Sequence, residues 1–251
     1  MLKYYNARGP LGVVRGLLSR VNTTFPGIAA IPIKMVDNLA MHSERHFDRR
    51  YNVNTVGKIL PLTFKDNQEK GSRELIWYEP CSIKHLGAGI KAMQIVPSNW
   101  TFVDVGAGLG RVPFVAATHG FRRTIGIEID QSLYELSLSN LSSFNSSERD
   151  TVSFVNADAL EYKFPIDEDL VIFMFTPFHG RTFEVFVERL LDQKKTNSRR
   201  WMLMYYGNNA SNLSVLRANL GGEMEVDLPM AYTRTVQYRM YFYSVPSSGQ
   251  P

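Results

Sequence analysis

The sequence predicts an α/β fold in which a mostly parallel sheet of seven strands carries helices on both faces. Strand-like and helix-like stretches alternate from about residue 83 onward, as in parallel sheets whose strands are joined through helices. The last two strand-like runs, Glu223–Met230 and Val236–Val245, are separated by only a few residues. Because a parallel crossover needs about a dozen residues, these two runs should form a terminal antiparallel hairpin.

Hydrophobic spacing places the other elements in order. Ile83, Leu86, Ile90 and Met93 recur at helical spacing, and Pro97 ends that helix. The apolar stripe from Phe183 to Leu191 predicts another helix. The five parallel strands are expected at Thr101–Val105, Thr124–Ile129, Val152–Asn156, Leu170–Phe175 and Trp201–Tyr205. The domain organisation that follows is an extension of helices and irregular connections over residues 1–75, one α/β domain over 76–245, and a mobile tail over 246–251.

The N-terminus is basic, because five cationic residues precede the first acid, Asp37. This pattern favours a cationic surface arm in a cytoplasmic protein, and an organelle transit segment is the alternative interpretation. No run approaches the roughly 20 apolar residues that span a bilayer, so no membrane span is expected. The single cysteine, Cys81, excludes a disulfide framework and a cysteine-based zinc site, and no metal is expected.

The segment from Phe102 to Arg111 is the clearest candidate for a functional site. A β-rich run ends at Gly106, Gly108 and Gly110, and a helix follows. Glycines at the carboxyl end of a strand let the backbone turn tightly and approach a ligand, and the helix start adds free N–H groups. Glu128 ends the second predicted strand, where an acid accepts hydrogen bonds from ribose hydroxyls.

The same segment argues against a nicotinamide dinucleotide. The dinucleotide fingerprint needs a small residue where this sequence has Arg111, and its third glycine comes one position early, at Gly110. Asp104 would add negative charge near a pyrophosphate, whereas it suits a cofactor that has an amino group and a sulfonium.

Three motifs in order, Asp104-Val-Gly-Ala-Gly-Leu-Gly-Arg111, Gly126-Ile-Glu128 and Asn156-Ala-Asp-Ala159, resemble those of the class I, Rossmann-like S-adenosylmethionine methyltransferases. The resemblance covers about residues 78–245. It implies that the loop of Gly106, Ala107, Gly108 and Gly110 passes under the methionine part and that Asp104 holds its amino group. It also implies that Glu128 binds the ribose and that Asp158 and Ala159 flank the adenine. The further residues expected at the cofactor are Tyr78, Ile129 and Phe175. Taken alone, Asp158 is more often explained as a helix cap for Ala159–Tyr162.

Two further motifs resemble a narrower group. Trp77-Tyr-Glu-Pro80 and Phe175-Thr-Pro-Phe178 are similar to segments of small bacterial methyltransferases and, more distantly, of lysine methyltransferases of the ATP synthase c-subunit type. Methyltransferases that act on amide or base nitrogens carry Asn/Asp-Pro-Pro-Tyr/Phe after the fourth strand. Thr176 replaces the Asn here and the second proline is absent, which argues against a base or glutamine acceptor.

The expected function is transfer of a methyl group to a nitrogen or oxygen of a protein, such as a lysine, or of a small metabolite. Glu79, Thr176 and His179 are the candidate catalytic residues, because an acceptor that arrives protonated needs a general base. His179 is also explained as a residue of the first turn of the following helix. The alternatives are a cofactor-binding scaffold without catalysis and an RNA methyltransferase, which the basic N-terminus supports only weakly. The sequence leaves the oligomeric state open.

Overall fold

The computed structural model describes residues 42–56, 78–226, 228 and 238–246. The strands within these ranges are β1 Trp100–Val105, β2 Arg123–Glu128, β3 Val152–Asn156, β4 Asp169–Met174, β5 Trp201–Gly207, β6 Gly221–Val226 and β7 Arg239–Ser244. The α-helices are α1 His42–Tyr51, α2 Ile83–Ala92, α3 Arg111–Thr118, α4 Gln131–Ser143, α5 Gly180–Lys194 and α6 Ala210–Asn219.

The seven strands form one sheet in the order β3-β2-β1-β4-β5-β7-β6. Strands β1 to β5 are parallel to one another, and β7 pairs antiparallel with both β5 and β6. The predicted parallel sheet with a terminal hairpin is therefore confirmed. The hairpin strands differ in extent from the prediction, which placed them at Glu223–Met230 and Val236–Val245. Most of the residues that connect β6 to β7 lie outside the described part of the chain.

Each face of the sheet has its own apolar core, because neighbouring side chains on a strand point to opposite faces. Phe102 of β1 faces the core that helices α2 and α3 cover. Val103, the next residue, faces the core that α5 and α6 cover. This three-layer arrangement brings the carboxyl ends of β1 to β5 to one edge of the sheet, where the loops after the strands meet.

The described part of the predicted extension packs on the α/β domain. Phe47 of α1 and Val53 after it belong to the same apolar core as α2 and α3. The remaining residues of the predicted extension, other than 42–56, and the tail after residue 246 lie outside the described residues. Among the helices in the described ranges, none is long and apolar enough to cross a membrane.

Candidate functional site

A cavity of about 160 Å³ opens at the carboxyl ends of β1, β2, β3 and β4. Most of the site residues predicted from the sequence line it, although they come from five separate stretches of chain. The predicted residues that line the cavity are Tyr78, Glu79, Gly106, Gly108, Glu128, Ile129, Asp158, Ala159, Phe175 and Thr176. The fold therefore brings together residues that lie as far as 98 positions apart, from Tyr78 to Thr176.

The glycine loop lies so close to its neighbours that side chains are excluded at two positions. A Cβ added to Gly106 would lie 2.9 Å from Cβ of Pro177, and one added to Gly108 would lie 2.1 Å from the Tyr78 ring. Both glycines also have positive φ, 83° and 53°, which other residues avoid. The loop therefore forms a bare backbone surface between Tyr78 on one side and Pro177 on the other.

Glu128 connects the ends of β1 and β2. Its carboxylate accepts hydrogen bonds from the backbone N–H of Gly108, at 2.7 Å, and of Asp130, at 2.9 Å. The residue is buried, and burial raises the pKa of its carboxyl group although both hydrogen bonds act in the opposite direction. The carboxylate is thus held in a fixed position at the cavity wall.

Asp104 supplies a second buried carboxyl group at the end of β1. Its exposed fraction is 2%, and the residues that follow it, Val105 and Gly106, line the cavity. Burial raises the pKa of Asp104 well above its ordinary value, and the charge of Glu128 raises it further. The carboxyl ends of β1 and β2 therefore carry two buried acids whose charged forms are disfavoured.

The end of β3 is fixed to the end of β2 next to these acids. The Asn156 side chain donates a hydrogen bond to the Glu128 carbonyl at 2.9 Å, and the Ala157 N–H donates to the same carbonyl at 3.0 Å. Asp158 accepts from the N–H of Leu160 at 2.9 Å. It caps a turn over residues 159–161 and not a helix, and Asp158 and Ala159 both remain at the cavity surface.

The loop after β4 forms the opposite wall from aromatic and strained residues. Thr176 has a φ of 41°, which is rare for a residue that has a Cβ and is typical of functional loops. The methyl group of Thr176 lies beside Gly207, so that a Cβ added to Gly207 would lie 2.4 Å from it. The Phe175 ring packs on Tyr206 at 4.7 Å and on Tyr238 at 5.0 Å between ring centroids.

Three other predicted residues lie outside the described lining of the cavity. Ala107 is buried beside Gly126. Gly110 is the N-cap of α3, where a Cβ would lie 2.5 Å from the Phe154 ring. His179 is the N-cap residue of α5, and its Nδ1 lies 3.4 Å from Nδ2 of Asn209.

The cavity-lining residues that sequence reasoning did not assign to the site include Thr182 and Tyr238. Thr182 lies in the first turn of α5, three positions after His179, so helical spacing was the signal that would have indicated it. Tyr238 precedes β7, and its position beside Phe175 depends on long-range packing of the predicted hairpin, which the local sequence does not specify.

The strand order, the bare glycine loop after β1 and the acid at the end of β2 together define the fold of class I S-adenosylmethionine methyltransferases. Fold alone does not specify a methyl acceptor.

Solved structures agree with this fold. An RNA methyltransferase from Salinibacter ruber, solved with S-adenosyl-L-homocysteine, is 20% identical, with a TM-score of 0.51 over 69% of this chain and 97% of that one. A TehB-like S-adenosylmethionine-dependent methyltransferase from Corynebacterium glutamicum is 15% identical, with a TM-score of 0.45 over 80% and 97%. Magnesium protoporphyrin IX methyltransferase from Synechocystis is 13% identical, with a TM-score of 0.46 over 63% and 75%. No protein-family model and no curated protein sequence matches the chain.

Proposed function

We propose that this chain is an S-adenosylmethionine-dependent methyltransferase that methylates a nitrogen or oxygen of a protein or of a small metabolite. The observation that carries the proposal is the combination of a glycine loop and the buried acid Glu128 at one cavity, with a second buried acid, Asp104, two residues before the loop.

The charge of the site fits this cofactor. Burial raises the pKa of both Asp104 and Glu128, so the site gains from a ligand that brings positive charge. S-adenosylmethionine carries an ammonium group and a sulfonium, whereas the pyrophosphate of a dinucleotide would add negative charge next to two acids. Gly106 and Gly108 also line the cavity without side chains, so a ligand there can contact their backbone directly.

Each predicted cofactor residue has a role in this proposal. Glu128 would accept hydrogen bonds from the ribose hydroxyls, and Asp104 would hold the amino group of the methionine part through the loop that starts at Gly106. Asp158 would accept from the exocyclic amine of adenine. The surrounding walls would be the side chains or backbone of Tyr78, Gly108, Ile129, Ala159 and Phe175. Ala107 and Gly110, which lie outside the described lining, would act by shaping the loop.

The catalytic contribution of the chain is mainly to position the acceptor. When bound, the cofactor supplies a methyl group on a positively charged sulfur that leaves readily. Tyr78 against Gly108 and Pro177 against Gly106 fix two walls that direct the acceptor toward this group. Holding two reactants in line is worth several kcal/mol in well-ordered sites, up to about 11 kcal/mol, so position accounts for much of the acceleration.

An amine is the acceptor that best suits the wall opposite the glycine loop. Glu79, Phe175 and Tyr238 all line the cavity, and both a carboxylate and aromatic rings attract an ammonium group. An ammonium acceptor must lose its proton before it attacks, and Glu79 or Thr176 would receive or relay that proton. His179 remains a separate prediction, since it caps α5 beyond the cavity lining.

The proposal is tested with the full chain, methyl-labelled S-adenosylmethionine and three acceptor sets, namely basic peptides, small amines and total RNA. We expect S-adenosylhomocysteine to form with a peptide or an amine, and Glu79→Gln to lower that rate at least about tenfold. The matched control is Glu161→Gln, which changes an exposed acid outside the cavity.

Two outcomes would replace the proposal. Binding of S-adenosylhomocysteine without turnover of any acceptor would make the chain a cofactor-binding scaffold. Labelling of RNA, with RNA affinity that falls steeply as salt is raised, would make it an RNA methyltransferase. The fold shared with the Salinibacter ruber RNA methyltransferase is the reason for including the RNA arm.

A further inference from the structure

Arg111, the residue directly after the glycine loop, is a buried cation whose partners lie in helix α1. It is 1% exposed, and its Nη1 lies 2.5 Å from Oε2 of Glu44 while its Nη2 lies 3.4 Å from Oδ1 of Asp48. A buried charge requires a partner. These two ion pairs therefore attach helix α1 to the end of the loop that forms the floor of the cavity.

Asp48 provides a second connection between α1 and the cavity. Its carboxylate accepts from the N–H of Thr55 at 2.6 Å, from the Thr55 hydroxyl at 2.7 Å and from the N–H of Val56 at 2.9 Å. The Thr55 carbonyl in turn accepts from the Tyr78 hydroxyl at 2.8 Å, and the Tyr78 ring lies on Gly108. One buried carboxylate thus fixes the segment that holds a wall of the cavity.

Asn140 of α4 provides a third connection. Its side chain accepts from the Asn54 N–H at 2.8 Å and donates to the Asn54 carbonyl at 3.1 Å. The same amide group donates to the carbonyl of Leu109, inside the glycine loop, at 3.0 Å. Residues 53–56 are therefore joined to the loop through Arg111, through Tyr78 and through Asn140.

We propose that residues 42–56 form part of the cofactor site, and that Glu44, Asp48 and Arg111 are positioning residues that hold the glycine loop and Tyr78 in their binding geometry. The inference rests on the proposed function of the cavity. Within the described residues, the cavity lining includes none of these three charged side chains, so they act through Tyr78 and the loop. Since coupling between linked equilibria is reciprocal, bound cofactor must also stabilise residues 53–56.

The test measures binding and hydrogen exchange of the full chain with S-adenosylhomocysteine as the probe. In the unaltered protein, the probe should slow amide exchange at Thr55 and Val56 by at least about fivefold. Asp48→Asn should raise the dissociation constant about 5- to 30-fold and abolish this slowing. Tyr78→Phe, which removes only the hydroxyl that donates to Thr55, is a milder variant that should keep the fold and still reduce the slowing.

A destabilised core serves as the control. Val187→Ala removes volume from the buried face of α5, on the other side of the sheet, and should lower the melting temperature without changing affinity for the probe. Probe binding that slows exchange at residues 106–110 but leaves residues 53–56 unchanged would overturn the inference alone. Equal affinity losses in Asp48→Asn and Val187→Ala would also overturn it. Absence of probe binding to the unaltered chain would overturn the proposed function and this inference with it.

Discussion

The two halves of the cavity are lined by different chemical groups. The ends of β1, β2 and β3 supply glycines, carboxylates and backbone hydrogen bonds, as in the bond from the Gly108 N–H to Glu128. The loop after β4 supplies aromatic rings and a strained backbone, as in Phe175, which packs on Tyr206 behind it, and the positive φ of Thr176. The first half suits a charged, hydrogen-bonding ligand, and the second suits an apolar or cationic one.

In the proposed methyltransferase, this difference would separate the binding of cofactor from the binding of acceptor. The cofactor half would depend on local motifs at the ends of strands. The acceptor varies, and its half depends on side chains from distant segments that meet in the folded chain. If the separation holds, changes in the first half should alter cofactor affinity, and changes in the second should alter acceptor turnover.

The largest effect is expected in the glycine loop. Gly108→Ala should weaken binding of S-adenosylhomocysteine at least about 100-fold, roughly 3 kcal/mol, because the new Cβ would lie 2.1 Å from the Tyr78 ring. Gly120→Ala is the matched control, since Gly120 also has positive φ, 82°, but open space around it. Calorimetric titration of both variants measures the difference, and similar losses would show that backbone strain and not the close approach is responsible.

The next effect concerns the acid at the end of β2. Glu128→Ala should cost about 1.5–3 kcal/mol of cofactor binding, because hydrogen bonds to a charged group are lost. Protonation of the Glu128 carboxylate also removes hydrogen bonds to a charged group. Affinity for the cofactor should therefore fall as the pH is lowered through the raised pKa of Glu128. Titration calorimetry over a pH series measures both, and an unchanged dissociation constant in the variant would contradict the role of Glu128.

Asp104→Asn should have opposite effects on stability and on binding. Burial and the charge of Glu128 raise the pKa of Asp104, so the folded protein holds a proton that the unfolded chain has released. The stability of the unaltered protein therefore falls as the pH rises from the pKa of Asp104 in the unfolded chain to its pKa in the folded protein. The Asp104→Asn variant has no carboxyl group there and does not lose this stability. Denaturant unfolding at pH 8 should show a gain of about 1 kcal/mol that shrinks at acidic pH, while cofactor affinity falls. A variant that is less stable at pH 8 would contradict this account.

The smallest effect is expected at the start of α5. His179→Ala should change cofactor affinity and methyl transfer less than about threefold, because His179 caps the helix beside Asn209 and no acceptor contact depends on it in this account. Thr182→Val, one turn further along and at the cavity wall, should change acceptor turnover more. Steady-state rates of methyl transfer for the two variants test this order. A larger loss of rate in His179→Ala than in Thr182→Val would support His179 as a general base.

The sequence predicts the sheet, and the meeting of the glycine loop with Glu128, because their signals are local. Asp104 and Glu128 lie at the ends of strands that hydrophobic runs identify, the glycines follow the first of them, and parallel strands place their carboxyl ends at one edge. The role of these residues in cofactor binding stays a prediction. The partners of Arg111 could not be predicted, since Glu44 and Asp48 lie 67 and 63 positions away and nothing in the local pattern marks them as buried. Tyr238 beside Phe175 depends likewise on the hairpin packing.

The central claim is tested most directly by calorimetric titration of the purified full chain with S-adenosylhomocysteine, with NAD as the matched control. The account predicts micromolar binding of S-adenosylhomocysteine and no measurable binding of NAD, because the two buried acids suit the ammonium group and ribose hydroxyls of S-adenosylhomocysteine and disfavour the negative charge of a pyrophosphate. Binding of NAD, or failure of S-adenosylhomocysteine to bind, would contradict it and leave the glycine loop as a structural turn.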